Sequence, residues 1–551
     1  MGNIFQKGFS ILLKRQNNIL SAAFVIAATI VISQILGLVR QRLLVSIFGA
    51  SDTLGVYLAS SRLPDLLFQL IIAGALSSAF IPVFSEFLGK GKYKEAHNLA
   101  STLLVLGLSI FLILGVILFI FANDFSRLLA PGFSKEQLIL MGSLTRIIIA
   151  GELLFIIGSF LSAILQSYNH FFIPGIASAL YNLGIIIGIY FLSSALGIFS
   201  AAYGVIIGAF IFVIVQLPLV KRLGFSFKPT LSLKVGGVLE VFRLMWPRTL
   251  SIAVFQLGTI VTVTLVSFLP SPGRSYVIFD YAQTLAFAPV VLFGQAIAQA
   301  AFPILARERD RIEDFKTTFI TSFSQMLYLV LPISVLFLVL RIPIVRLIYG
   351  AAQFDWPATV LTGRTLAFFS ISIFAQSLSY LVSRGFYALH DSKTPLIIGT
   401  ITTIFMIILS ALFIFIYHLG IESIAISFSV ASITNIFILF VFLDKKVGGF
   451  DKKVLLASLS KIAIATVFTG FALYIPIKLL DQLVFDTTKT INLLFLTGIS
   501  SFLGLSLYLF LTWLFNVKEA TVFLLLFRKI GDWRQILKKS DEVIDGTRFN
   551  P

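Results

Sequence analysis

Cysteine is absent from the chain, which removes disulfides, thiol chemistry and cysteine metal sites from consideration. The four histidines, His97, His170, His390 and His418, lie far apart and never at metal-ligand spacing, so no metal site is expected. Charged residues make up only 12 %, too few to clothe a soluble protein of 551 residues. No Walker A loop, zinc motif or hydrolase triad occurs, so no catalytic residues are assigned and no enzyme is expected. At the start, Lys7, Lys14 and Arg15 lead into a long apolar span without a short core and small-residue cleavage site. No cleavable signal peptide is therefore expected.

What fills the chain instead is hydrocarbon. Hydrophobic residues are 58 % of the sequence, 57 of them Phe, and the mean hydropathy is +1.00. At about 20 apolar residues per span, the pattern predicts an all-α polytopic membrane protein with about 14 transmembrane helices. They lie near 20–48, 54–88, 96–122, 138–166, 172–194, 199–220, 239–269, 275–305, 315–347, 357–388, 394–417, 420–443, 454–479 and 491–515. Alternate loops carry the Lys and Arg, from Lys90-Lys92-Lys94 through Arg307-Arg309-Arg311 to Lys445-Lys446-Lys452-Lys453. The positive-inside rule then predicts a multi-pass plasma-membrane protein with both termini cytoplasmic. The net charge of +17 reads as topology plus attraction to anionic headgroups, with nucleic acid excluded as a partner. Residues 518–540 alternate apolar and basic, as an amphipathic helix on the cytoplasmic leaflet would, within a tail of 518–551.

The first twelve spans read as two copies of one six-helix unit. Pro82 and Pro303, Pro174 and Pro395, and Gly37 and Gly258 each stand 221 residues apart. An even number of helices keeps both copies in one orientation, which makes them parallel repeats with a site between the halves. The expected organisation is an N-lobe (1–222), a C-lobe (223–447), two extra C-terminal helices (448–517) and the tail.

Charges inside a span cost roughly 2.5–3.5 kcal/mol each and mark function by default. In the first span, Ser33, Gly37 and Arg40 fall on one narrow face, as the wall of an anion-receiving cavity would, while Arg42 points away. Snorkelling to an interface is the competing reading for both arginines. Arg62 and Asp65, with Gln69, share a face of the second span, either as a ladder beside Arg40 or as a self-neutralising pair. Arg248 follows a helix-bending proline. Asp280 is read as a partner of Arg248 or a coupling-ion site, and Arg364 as a further inner cation. Arg146 and Glu152 stay unassigned. Inner cations outnumber anions in the cavity-facing set of the first half, which favours a substrate carrying phosphate or diphosphate, held by the guanidinium fork.

Five segments together resemble the MurJ (MviN) family. They are SQILGLVRQRLLVSIFGAS from Ser33, RLPDLLFQLIIAGALSSAFIPVFSEF from Arg62, APGF from Ala130, MWPRTLSIAVFQLG from Met245 and RGFYALHDSKTP from Arg384. The resemblance implies a lipid II flippase of peptidoglycan biosynthesis within the multidrug/oligosaccharidyl-lipid/polysaccharide exporter superfamily. It also implies two lobes around a cationic cavity, a lipid-tail groove along helices 13 and 14, and alternating access. Several cavity positions depart from the family pattern. Gln34 replaces an arginine, Asp65 an asparagine and Phe68 an arginine. Gln283 and Thr284 replace an acid and a base, and an expected acid falls on Gly55, with Asp52 one turn away. The cavity set is thus Ser33, Gln34, Arg40, Arg62, Asp65, Arg248 and Thr284, with Asp52, Asp280 and Arg364 for coupling or pairing. The expected partners are a polyprenyl-diphosphate-linked glycan, membrane lipids and cell-wall synthesis proteins. No cofactor is expected, and the drive comes from membrane potential or an ion gradient. The alternatives are a flippase for another polyprenyl-linked oligosaccharide, a cation-coupled exporter of the MATE type, and a membrane scaffold.

Overall fold

The computed structural model describes residues 19–73, 76–351, 353–483 and 489–520. The tail at 521–551, with most of the expected surface helix, lies outside them, as does the side chain of Arg248. Among the described residues the chain is helical throughout, with no strand. The helices are α1 (Ile19–Phe48), α2 (Asp52–Ser60), α3 (Arg62–Phe68), α4 (Ile81–Gly89), α5 (Tyr93–Ile120), α6 (Ala122–Leu129) and α7 (Lys135–Ser167). They continue with α8 (Phe172–Leu196), α9 (Phe199–Ile214), α10 (Leu217–Arg222), α11 (Val238–Ser267), α12 (Pro272–Pro289), α13 (Ala296–Arg307) and α14 (Ile312–Val339). The last are α15 (Arg341–Tyr349), α16 (Trp356–Ser370), α17 (Ile373–Ala388), α18 (Lys393–Phe415), α19 (Glu422–Lys446), α20 (Lys452–Leu483) and α21 (Thr490–Leu514).

Eleven helical stretches among the described residues are long and apolar enough to cross a membrane, and twelve if α16 and α17, bent by 41° at their junction, form one span. The expected count of about fourteen is compatible with this. The second expected span is broken into α2, α3, two π-helical segments (Gln69–Ala73 and Leu76–Phe80) and α4, whereas the seventh corresponds to the single helix α11. Two helix starts have a clear local cause. Ser51 accepts from the Leu54 N–H at the start of α2, and Ser134 with Gln137 forms a reciprocal capping box on α7.

Several structural features recur at the 221-residue spacing. A π-helical segment at Gln69–Ala73 matches one at Val290–Gln295. Asn169 and His390 both take φ near +60° just before a long helix, and Gly197 and His418 share a positive φ at the far end of it. π-Helical turns leave backbone groups out of step and bend a span where they occur.

The chain forms two compact units, one of Met1–Tyr281, Ile348–Thr362 and Thr403–Ser427, the other of Ala282–Leu347, Gly363–Thr402 and Phe428–Pro551. In the first unit, α8 and α9 cross glycine on glycine. A Cβ on Gly184 would lie 2.4 Å from the Gly208 Cα, and one on Gly188 would lie 2.4 Å from the Gly204 Cα. Small residues four apart on both helices let the backbones touch, which supplies dispersion where lipid leaves no hydrophobic drive between helices. In the second unit, α20 and α21 pack on each other and expose Phe468, Phe471, Phe502 and Phe510.

Candidate functional site

The interior charges of the first unit gather around α1, α2, α3, α7, α8 and the start of α12. Arg40 is half-buried on α1, within electrostatic reach of Asp65 and of the hydroxyls of Tyr57, Tyr181 and Tyr281. Arg62 leaves α3 toward α12, where its Nε donates to Tyr276 Oη at 2.6 Å. Its Nη2 forms an ion pair with Asp280, and the guanidinium sits 5.7 Å from the Tyr276 ring centroid. Asp65 takes a different partner, accepting from Ser61 Oγ at 3.2 Å.

Asp280 thus has Arg62 as a partner, while the expected pairing with Arg248 falls on a side chain outside the described residues. Of the two readings of Arg62 and Asp65, the contacts fit an arrangement wider than a self-contained pair. A long guanidinium satisfies more of its donors on a tyrosine hydroxyl and a carboxylate together, while Asp65 is served inside its own helix turn by a serine.

Arg42 caps a helix end. It donates from Nη1 to the Ile348 carbonyl and from Nη2 to the Gly350 carbonyl, both at 3.2 Å. A cation on the orphan carbonyls at the end of α15 meets both the unpaired oxygens and the negative end of the helix dipole. Its neighbour Gln41 accepts from Tyr349 Oη at 2.9 Å, and Tyr349 packs 4.6 Å from Tyr281, ring centroid to centroid. Residues from distant parts of the sequence therefore meet at one end of the spans, and Asp52 extends that layer. Its Oδ1 accepts from the Arg274 N–H at 2.8 Å, and the Arg274 guanidinium donates to both oxygens of Asp355 at 2.8 Å. Some burial pushes the Asp355 carboxyl up, but Arg274 and the Ala358 N–H outweigh it and hold the group below its ordinary range. Gly55 faces the Gly273 carbonyl so closely that a Cβ would lie 1.9 Å from its oxygen. No acid fits at 55, and Asp52 supplies the carboxylate instead.

Ser33 turns toward α8, where it accepts from Asn182 Nδ2 at 3.3 Å, and Gly37 faces the same asparagine. Gln34 is exposed on α1. Thr284 is half-buried and Arg364 exposed, both in the second unit. A cavity of about 450 Å³ in the same unit is lined by Thr29, Phe68, Phe155, Ser159, Ser162 and Gln166, among others. Phe68, standing where the family pattern has an arginine, makes this wall apolar. Sequence reasoning missed the tyrosines that ring the charges. A tyrosine among 57 phenylalanines shows no sign in sequence of where its hydroxyl points. It also left Glu152 unassigned. Glu152 is 6 % exposed on α7, while Arg146 turns to the Phe119 carbonyl at 3.0 Å. No group of three or more metal-binding side chains occurs among the described residues.

A multi-pass helical bundle with acids and arginines inside the span is the architecture of a membrane transporter. The family model described as lipid II flippase MurJ matches residues 44–494, and the chain belongs to that family. A protein from Burkholderia cenocepacia named lipid II flippase MurJ is 26 % identical, over 78 % of this chain and 84 % of its own length. One from Buchnera aphidicola of the pea aphid Acyrthosiphon pisum, named as a probable lipid II flippase MurJ, is 30 % identical over 77 % and 83 %. Among solved structures, the inward closed conformation of lipid II flippase MurJ is similar with a TM-score of 0.73 at 25 % identity, covering 89 % of this chain and 98 % of that one. An inward-facing MATE family transporter shares the fold alone, with a TM-score of 0.64 at 14 % identity over 76 % of this chain and 94 % of that one.

Proposed function

We propose that this protein flips lipid II, the lipid-linked peptidoglycan precursor, from the cytoplasmic to the outer leaflet by alternating access. The observation that carries the reading is the match to the flippase family across residues 44–494. The chain acts as a carrier rather than an enzyme, because the cargo changes leaflet without any bond being made or broken.

The basic loops put the termini in the cytoplasm, which makes the layer of Arg42, Asp52, Arg274 and Asp355 the outer end of the spans. In this conformation that end is held shut, and the headgroup enters from the cytoplasmic side. Arg40 is the first diphosphate contact, since a half-buried guanidinium offers a bidentate fork to phosphate oxygens. Arg62 is the second, but here Asp280 and Tyr276 occupy it. Opening the outer end parts α3 from α12 and frees Arg62 for the diphosphate, so cargo and gate compete for one guanidinium. The apolar Phe68 wall and the loss of charge at Gln34, Gln283 and Thr284 favour, as a second reading, a different polyprenyl-diphosphate-linked glycan.

Lipid II exposure at the outer leaflet, measured in cells depleted of their own flippase and expressing this protein, tests the proposal. Restored exposure that Arg40→Ala abolishes supports it. Folded, membrane-inserted protein without restored exposure moves the cargo to another glycan.

A further inference from the structure

The cluster around Arg40 contains one acid without an ion-pair partner among the described residues. Glu152 sits at the middle of α7, 6 % exposed, and its Oε2 is buried with no hydrogen-bond partner among the described residues. The charge that faces it is that of Asp65 on α3, and the Tyr181 hydroxyl of α8 lies within its field. Arg40 and Arg62 act on Asp65, and Arg62 is already spent on Asp280. Tyr57 of α2 is buried in the field of Arg40 and Asp65, and the remaining helices on α7 keep their charged and histidine side chains near the span ends, among them Glu86 of α4, His97 of α5, Asp124 and Arg127 of α6, and Lys221 and Arg222 of α10. An ionised carboxylate without donors, beside a second carboxylate and away from water, is strongly disfavoured, whereas the neutral acid is tolerated.

We propose that Glu152 is a proton-binding site, loaded in this conformation and emptied when the outer end opens and water reaches it. The assignment rests on the flippase reading, since it makes the proton a driver of the same gate. One proton is bound per closure. A conformation that buries Glu152 unpaired is favoured by acid, and a conformation that hydrates it is favoured by alkali, because a ligand shifts an equilibrium by its differential affinity for the two states. Three or more metal-binding side chains are not brought together here among the described residues, which favours the proton over a metal cation.

The absence of cysteine allows a direct test. Spin labels on Leu128→Cys of α6 and Ile416→Cys after α18, 74 % and 68 % exposed, report the outer end in liposomes by electron–electron distance measurement. The expected result is a short distance at pH 5.5 that gives way to a longer population by pH 8. Glu152→Gln, which mimics the neutral acid, should hold the short distance throughout. Asp65→Asn, which removes the facing charge, should move the midpoint to lower pH. A folded Glu152→Gln protein that keeps the wild-type pH response overturns the assignment. So does a response to sodium at fixed pH that Glu152→Gln abolishes. The distance needs no cargo, so a Glu152-dependent response in a protein that fails to expose lipid II would sink lipid II as the cargo and leave the proton site standing.

Discussion

At the scale of single residues, two arginines that looked alike in sequence have unlike duties. Arg40 is left half-buried among tyrosines and Asp65, while Arg42 is committed to the carbonyls of Ile348 and Gly350. Arg42→Ala should therefore lower thermal stability by about 1–3 kcal/mol through two lost charged hydrogen bonds, measured by unfolding in detergent. Arg40→Ala should leave stability nearly unchanged and act on transport alone. The Arg62–Asp280 pair allows a sharper comparison. Asp280→Asn strands a partly buried guanidinium and should cost about 2–3 kcal/mol, less than a fully buried pair because Tyr276 keeps one donor satisfied. Adding Arg62→Gln should recover part of that loss, and simple additivity in the double-mutant cycle would show that the two do not communicate.

The charged members of this cluster could be picked out in advance because an acid or a base in an apolar run stands out. Their pairing could not, since Asp280 and Arg62 are 218 residues apart and helical spacing speaks only of neighbours within a turn or two. Glu152 was visible as well, but its meaning comes from the partner it lacks, and that is a property of three dimensions.

At the scale of elements, the spans were legible from hydropathy and the repeat from its prolines. The breaks were not. The second span dissolves into α2, α3, π-helical turns and α4, because its hydropathy is continuous while its backbone hydrogen bonding is not. The glycines of α8 and α9 were also visible, yet only the crossing shows that Gly184 and Gly188 face Gly208 and Gly204. Gly188→Val should wedge that crossing apart and cost about 1–3 kcal/mol by overpacking, read as a lowered unfolding temperature. A polar cap at the other half offers a pH test. Asp391 ahead of α18 accepts from Lys446 Nζ at 2.7 Å and from Thr394. Slight burial pushes its carboxyl up, but these partners outweigh it and draw the group down to about 2. A depressed carboxyl stabilises the fold above its unfolded value near 3.9 and loses that stabilisation as pH falls through the folded value. Asp391→Asn should flatten the stability curve between about pH 4 and pH 2, with no change near neutrality beyond the lost ion pair.

At the scale of the whole molecule, the tight approach of Gly55 to Gly273 acquires a practical meaning. The two backbones meet with space for a hydrogen atom and nothing larger. If α2 and the start of α12 part on opening, as proposed above, a single methyl group at Gly55 would work as a doorstop, disfavouring the closed contact and carrying no penalty once it parts. Gly55→Ala should enrich the opposite conformer, seen as loss of the short distance between labels at 128 and 416. Such a variant would present a cytoplasm-shut form to antibodies, inhibitors and crystallisation trials that the native equilibrium keeps scarce.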